Sequence, residues 1–280
     1  MKHNIERRKA EDAIGVFDYG SGGLTVVQAI AELLPNEKFI FLADEAKINK
    51  KEDEDTTRMK KKEDAFRYAD FLCNQNVKMI VVACNLMSAF AVEALQQHVD
   101  VPVIGLVQPG VLALKEHIDF SAPKKIGVFT TEMAASLKLF SRIFEKAFPG
   151  IQVYEVGCPT LPKVIDDQLV GTEFADEEVQ KYADQMPLDV DAVYLACTRF
   201  PILKSSFARI FPSIPIIDPA QKLAQNVCEI LEEQKMLAER PEPSIFYTTG
   251  KKEIFYKVSE QLIKTNQFHV EQLNETERNK

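Results

Sequence analysis

Short apolar bursts alternate with longer amphipathic stretches along this chain. Ala13–Phe17, Lys38–Leu42, Met79–Ala83 and Val103–Leu106 are runs of mostly apolar residues, the pattern of strands buried on both faces of a parallel sheet. Between them, residues 23–34, 58–75 and 87–98 carry helical spacing. A second series of bursts follows at Lys125–Phe129, Gln152–Val156, Ala192–Ala196 and Ile214–Ile217. Strand alternating with helix predicts an α/β fold with parallel sheets, and two series predict two α/β halves. Residues 219–234 then read as a helix, Ser244–Thr248 as a strand and 251–264 as a final helix, elements expected to return to the first half. The last ten or so residues are polar and charged and read as a frayed tail.

The bulk numbers add a class. The chain has 280 residues, 46% hydrophobic and 27% charged, with 34 basic and 42 acidic side chains for a net charge of −8. An acidic chain without a basic, aromatic-interleaved stripe excludes nucleic acid as the expected partner. No apolar run approaches the roughly 20 residues that span a bilayer, and the start, MKHNIERRKAED, lacks a signal-peptide core, so no membrane partner and a cytoplasmic location are expected. The histidines His3, His98, His117 and His269 form no metal-ligand spacing. No segment combines a Schiff-base lysine with a phosphate cradle, as a pyridoxal enzyme requires.

The candidate chemistry lies in cysteine. Of Cys73, Cys84, Cys158, Cys197 and Cys228, two sit in matching settings: Val82-Ala83-Cys84-Asn85 and Leu195-Ala196-Cys197-Thr198 each end an apolar run with a thiol and a small polar residue. Facing thiols on one substrate carbon can remove a proton and return one without a cofactor. A helix start at Cys84 and the cation Arg199 beside Cys197 both favour thiolate. Cys73 and Cys228 lie in helical patterns and read as packing, and Cys158, in Gly157-Cys158-Pro159, is ambiguous. Upstream, Phe17-Asp18-Tyr19-Gly20-Ser21-Gly22-Gly23 is a glycine-rich turn between strand and helix without the spacing of a phosphate loop. Asp18, where the strand stops, reads either as a cap or as an acceptor for an ammonium group.

Together these segments resemble glutamate racemase. The resemblance is carried by Phe17-Asp18-x-Gly-x-Gly-Gly-Leu-Thr, Ala83-Cys84-Asn85, Val101-Pro102-Val103-Ile104-Gly105, Gly157-Cys158-Pro159, Cys197-Thr198 with Pro201 and Leu203, and Phe246-Tyr247-Thr248-Thr249-Gly250. It runs from about residue 13 to residue 268. It implies a cofactor-independent isomerase of the aspartate/glutamate racemase superfamily, built from two pseudo-symmetric doubly wound domains with parallel sheets and the active site at their interface. The expected boundaries are 1–105 plus 216–280 for the first domain and 106–215 for the second. By position, Cys84 and Cys197 would be the catalytic thiols, assisted by Asp18 and Asp166. Asn85, Thr131 and Thr198 would hold the amino and carboxylate groups of a small amino acid. The product D-glutamate would feed peptidoglycan, and a homodimer is common in proteins of this type.

Several positions depart from the family pattern. Tyr19 stands where a substrate-binding serine is usual, and Leu86 where a threonine follows Cys-Asn. Ala134 stands for the second of two threonines, and Arg199 for the histidine after Cys-Thr. The loop pattern Thr-Ala-Arg-x-Pro-Tyr-Gly is here Glu45-Ala46-Lys47-Ile48-Asn49-Lys50-Lys51. Arginine in practice does not exchange protons, so Cys197 loses a usual proton partner. Three readings follow: glutamate racemisation, racemisation of another small acid such as aspartate in an altered pocket, or a non-catalytic binding or regulatory protein on the same fold. The charge-dense segment Lys47–Lys62 reads as a solvated loop running into a helix, or as a lid.

Overall fold

A computed structural model describes residues 8–45, 54–187 and 189–274. The chain divides into two compact units, one formed by the residues up to Val107 with those from Leu223 onward, the other by Gln108–Lys222. The first unit holds a six-stranded sheet and the second a four-stranded sheet, with every pairing parallel.

In the first unit, β1 (Ile14–Asp18), β2 (Phe39–Ala43), β3 (Met79–Val82) and β4 (Val103–Gly105) alternate with α1 (Leu24–Leu33), α2 (Glu54–Asn74) and α3 (Asn85–His98). Every residue of β1, β2 and β3 is buried, because helices cover both faces of the sheet. The second unit repeats the plan. Helix α4 (Val107–His117) leads to β5 (Lys125–Thr130), α5 (Glu132–Ser136), α6 (Leu139–Ala147) and β6 (Gln152–Gly157). There follow α7 (Leu161–Asp166), α8 (Glu173–Ala183), β7 (Ala192–Leu195), α9 (Lys204–Ile210) and β8 (Ile216–Ile217). Helix α10 (Pro219–Glu233) returns to the first unit, which closes with β9 (Ser244–Thr248), α11 (Lys252–Leu262) and β10 (Phe268–Gln272).

The sheet orders are β10-β9-β2-β1-β3-β4 and β6-β5-β7-β8. The segment β2-β1-β3-β4 therefore has the same order as β6-β5-β7-β8, and β9 with β10 extends the first sheet alone. In each sheet the crossover direction reverses beside the first strand, between β1 and β3 and between β5 and β7. These are the switch points at which open α/β sheets bind ligands beyond the carboxyl ends of the strands.

Strand β10 was not expected; the sequence there reads only as polar chain running into a tail. Of Phe268–Gln272 only Val270 is buried, so this edge strand lacks the apolar run that marks an inner one. Strand β8 is shorter than the expected Ile214–Ile217, since Pro215 has no N–H for the ladder and contributes only its carbonyl, accepting from the Val193 N–H at 2.9 Å. Helix α2 begins four residues earlier than the expected 58, so Glu54–Thr57 is helix rather than loop, while residues 47–53 of the charge-dense segment, with the proposed lid, lie outside the described residues.

At the amino ends of the first sheet's strands a buried ion pair ties distant segments together. Lys78 Nζ lies 2.6 Å from Glu37 Oε2, both side chains almost fully enclosed, and also donates to the carbonyls of Ala10 and, at 2.7 Å, Met236. Glu37 Oε1 accepts the Ala238 N–H at 2.9 Å. A charge pair so enclosed persists because carbonyls and amides satisfy it.

Candidate active site

Equivalent backbone bonds fix the ends of the paired strands. The Ala83 N–H donates to the Phe17 carbonyl at 2.9 Å, and the Ala196 N–H to the Phe129 carbonyl at 2.8 Å. Each bond sets the next residue, Cys84 or Cys197, just beyond the carboxyl end of its strand, at its own sheet's switch point. The bond across the neighbouring strand is also repeated: Asp44 N–H to the Asp18 carbonyl at 3.1 Å, and Cys158 N–H to the Thr130 carbonyl at 2.9 Å. Asp18 and Thr130 are therefore counterparts, as are Asp44 and Cys158. None of the five cysteines is in a disulfide.

In the first unit, Cys84 is the N-cap of α3 and is partly buried. The N–H groups of Leu86 and Met87 and the charge of Lys61 favour its thiolate, as a helix N-terminus should. Burial and the neighbouring Asp18 outweigh them and push the thiol well above its ordinary range. The expected thiolate preference at Cys84 is thus reversed: desolvation and a nearby carboxylate overcome the helix terminus. Asp18 is buried, with Oδ1 accepting the Tyr19 N–H at 2.7 Å. Its packing explains the glycine-rich turn. A side chain on Gly23 would place Cβ 2.8 Å from Asp18 Cβ and 2.8 Å from the Phe41 ring, so the turn is shaped by close approach.

Asn85, the first residue of α3, is 5% exposed, and neither its amide oxygen nor its amide nitrogen has a hydrogen-bond partner among the described residues. A buried amide left open on both sides is costly and calls for a ligand. Leu86 follows, partly buried. Tyr19 turns its phenol inward and donates to Asp64 Oδ2 at 2.9 Å. Asp64 pairs with Arg67 as well, while Tyr68 donates to Asp44, which also accepts from Thr249 Oγ1 at 2.9 Å. Both phenols are pushed far above their ordinary range, first by burial and then by the carboxylate each one meets.

In the second unit, Thr131 caps α5, its side chain accepting the Ala134 N–H at 3.3 Å. Ala134 itself is buried, and so is Thr198. Cys197 is partly buried against the core that contains Cys158. The Cys158 thiol is pushed above its ordinary range by burial, with Cys197 adding to the effect. Arg199 forms an ion pair with Asp166, the last residue of α7, so two of the expected site residues meet directly. Asp166 is largely exposed, whereas Arg199 Nε is buried without a partner among the described residues.

Lys61 was not expected near Cys84, nor were Asp64, Tyr68, Asp44 and Thr249 expected in the hydrogen-bonded network beside Tyr19. Lys61, Asp64 and Tyr68 recur at helical spacing on α2, so one face of that helix carries polar groups inward. Among the described residues no group of His, Cys, Asp and Glu could hold a metal, and no helix is long and apolar enough to cross a membrane.

Two parallel, doubly wound sheets with a thiol at each switch point define an α/β protein built for chemistry at strand ends. The chain matches the Asp/Glu/hydantoin racemase family over residues 14–227 and belongs to it. Among curated proteins, it is 30% identical to the glutamate racemase of Oceanobacillus iheyensis over 269 residues, covering 93% of this chain and 94% of that protein. Among solved structures, it resembles glutamate racemase from Francisella tularensis in complex with D-glutamate, with a TM-score of 0.82 and 30% identity over 95% of this chain and 98% of that one. It also resembles glutamate racemase from Thermus thermophilus in complex with β-chloro-D-alanine, with a TM-score of 0.82 and 28% identity over 96% and 100% of the two chains.

Proposed function

We propose that this protein interconverts L- and D-glutamate without a cofactor, with Cys84 and Cys197 as the two acid–base groups. The observation that carries the reading is the repeated strand-end position of the two thiols, each just beyond an equivalent backbone bond. On one face of the substrate a thiolate takes the α-proton, and on the other a thiol returns one to the same carbon. After one turnover the two sulfurs have exchanged protonation states, which is why the reaction runs both ways.

Asp18 serves Cys84. Because Cys84 rests as a thiol, it is ready to donate; to abstract, it must first give its proton to a neighbour, and the Asp18 carboxylate is that neighbour. Asp166 takes the corresponding place on the Cys197 side, through the Arg199 pair. The developing enediolate needs donors, each worth about 3 kcal/mol by analogy with an oxyanion hole. Asn85 supplies one from its open amide, and Thr131 and Thr198 supply hydroxyls. Leu86 and the ring of Tyr19 line the pocket. The protein acts in the cytoplasm, where its thiols stay reduced, and its D-glutamate serves peptidoglycan synthesis.

The test is α-proton exchange in heavy water, followed by NMR, with each enantiomer of glutamate and of aspartate. Exchange with both glutamate enantiomers, faster than with aspartate, is the expected result. Exchange with aspartate alone would redirect the substrate, and exchange with none of the four would overturn racemase chemistry on these acids.

A further inference from the structure

The first unit's sheet ends in an open edge. Strand β10 pairs with β9 on one side, and no strand among the described residues takes the other. The Gln267 carbonyl accepts the Ser244 N–H at 2.8 Å and the Leu273 N–H donates to the Thr248 carbonyl at 2.8 Å, so the odd-numbered residues turn their backbone groups to β9. Backbone groups alternate in direction along a strand, which turns the N–H and C=O groups of Phe268, Val270 and Gln272 outward. Natural edges are often blunted by lysine, proline or a bulge. Phe268–Gln272 contains none of these.

The side chains select the neighbour. His269 and Glu271 are exposed, share one face and flank Val270 symmetrically, with Nε2 and Oε1 3.5 Å apart. An antiparallel copy of the strand centred on Val270 sets His269 against the partner's Glu271, and Glu271 against the partner's His269. These are the closer, non-hydrogen-bonded pairs of such a ladder, while Val270 meets the partner's Val270 and Phe268 the partner's Gln272 in hydrogen-bonded pairs. Every outward backbone group of both strands is then bonded. Moving the centre to His269 or to Glu271 would oppose like with like, so the charges choose the register. On the other face Phe268 packs on Phe246 and Tyr256, with ring centroids 4.8 and 5.8 Å away, and Tyr256 keeps 40% of its surface exposed. We propose that β10 is the seat of a twofold homodimer, in which the β10 strands of two copies pair antiparallel about Val270 and join their six-stranded sheets into one.

Sedimentation velocity of the full chain, from about 1 to 100 µM, tests it, with V270P, H269E and the double variant H269E/E271H beside the wild type and a thermal melt of each. The Val270 N–H is not used by β9, so V270P spares the inner ladder and removes the bonds at the twofold axis. It should weaken dimerisation about 30- to 100-fold. H269E sets carboxylate against carboxylate in both outer pairs and should weaken it about 10-fold. The double variant exchanges the two groups, restores unlike pairs and should recover most of that loss. A wild type that stays monomeric to about 100 µM would overturn the proposal. So would a dimer that V270P leaves intact, which would place the interface elsewhere, or a double variant as weak as H269E. If V270P melts below the wild type, H269E and the double variant, changed only at exposed side chains, decide.

Discussion

The two strand-end thiols occupy the same backbone position and live in different surroundings. Cys84 sits beside a buried network in which Tyr19 and Tyr68 each donate to a carboxylate, and burial together with the nearby Asp18 charge makes it hold its proton strongly. Cys197 sits over an apolar core, with a second cysteine near it and an arginine–carboxylate pair reaching the surface. The repeated sheet order places both sulfurs, while each unit's side chains set their chemistry. A doubled fold can therefore keep its symmetry in the backbone and lose it in the side chains around each sulfur.

That contrast breaks most sharply at the sulfurs. Cys84→Ala and Cys197→Ala should each reduce racemisation by at least about 10³-fold, the upper part of what one acid–base group supplies, without loss of the folded state by circular dichroism. If one variant kept near-full activity, the two positions would not be equivalent in function. The next largest effect is expected at Asn85. Asn85→Leu removes an amide that has no partner to lose among the described residues, so activity should fall while thermal stability holds or rises. A fall in stability would mean that the amide serves the fold instead.

The networks differ in what they contribute to stability. Asp64→Asn disturbs a buried carboxylate that meets both Tyr19 and Arg67 and should cost about 1–3 kcal/mol in denaturant unfolding. Asp166→Asn disturbs a largely exposed pair and should cost about 1 kcal/mol or less. Equal costs would dissolve the distinction between the two surroundings.

The pH profile sharpens it further. A thiol raised above its ordinary value of 9.0 binds its proton more tightly folded than unfolded. Its contribution to stability is therefore complete below about pH 9 and is lost as pH rises beyond. Cys84→Ser should flatten part of the alkaline fall in Tm, and iodoacetamide at pH 8 should label Cys84 slowly in the folded protein. Rapid labelling there would contradict the buried, carboxylate-flanked thiol.

Much of this was legible in the chain. Fully buried strands announce themselves as apolar runs, and Ala13–Phe17, Phe39–Ala43 and Met79–Val82 do so. The edge strand Phe268–Gln272 does not, because one solvated side removes the apolar signal. The strand-end placement of Cys84 and Cys197 followed from the same runs, but the proton affinity of Cys84 did not. A helix start and a lysine can be read from sequence, whereas burial and the position of Asp18 come from tertiary packing. The inward face of α2 was hidden for a similar reason: Lys61, Asp64 and Tyr68 look like part of a charged helix until Tyr19 and Asp44, the residues just after β1 and β2, meet them. Arg199, in sequence a neighbour of Cys197, turns out to reach Asp166 across 33 residues.

The account stands or falls on two thiols acting from opposite faces of one carbon. Racemisation of L-glutamate in heavy water, stopped early and resolved into enantiomers before mass analysis, tests this directly. Two groups predict that newly formed D-glutamate carries deuterium at Cα while the recovered L-glutamate is still protiated. Deuterium appearing equally in both enantiomers from the start, or a D-product that retains the substrate's own proton, would show a single group at work and contradict it.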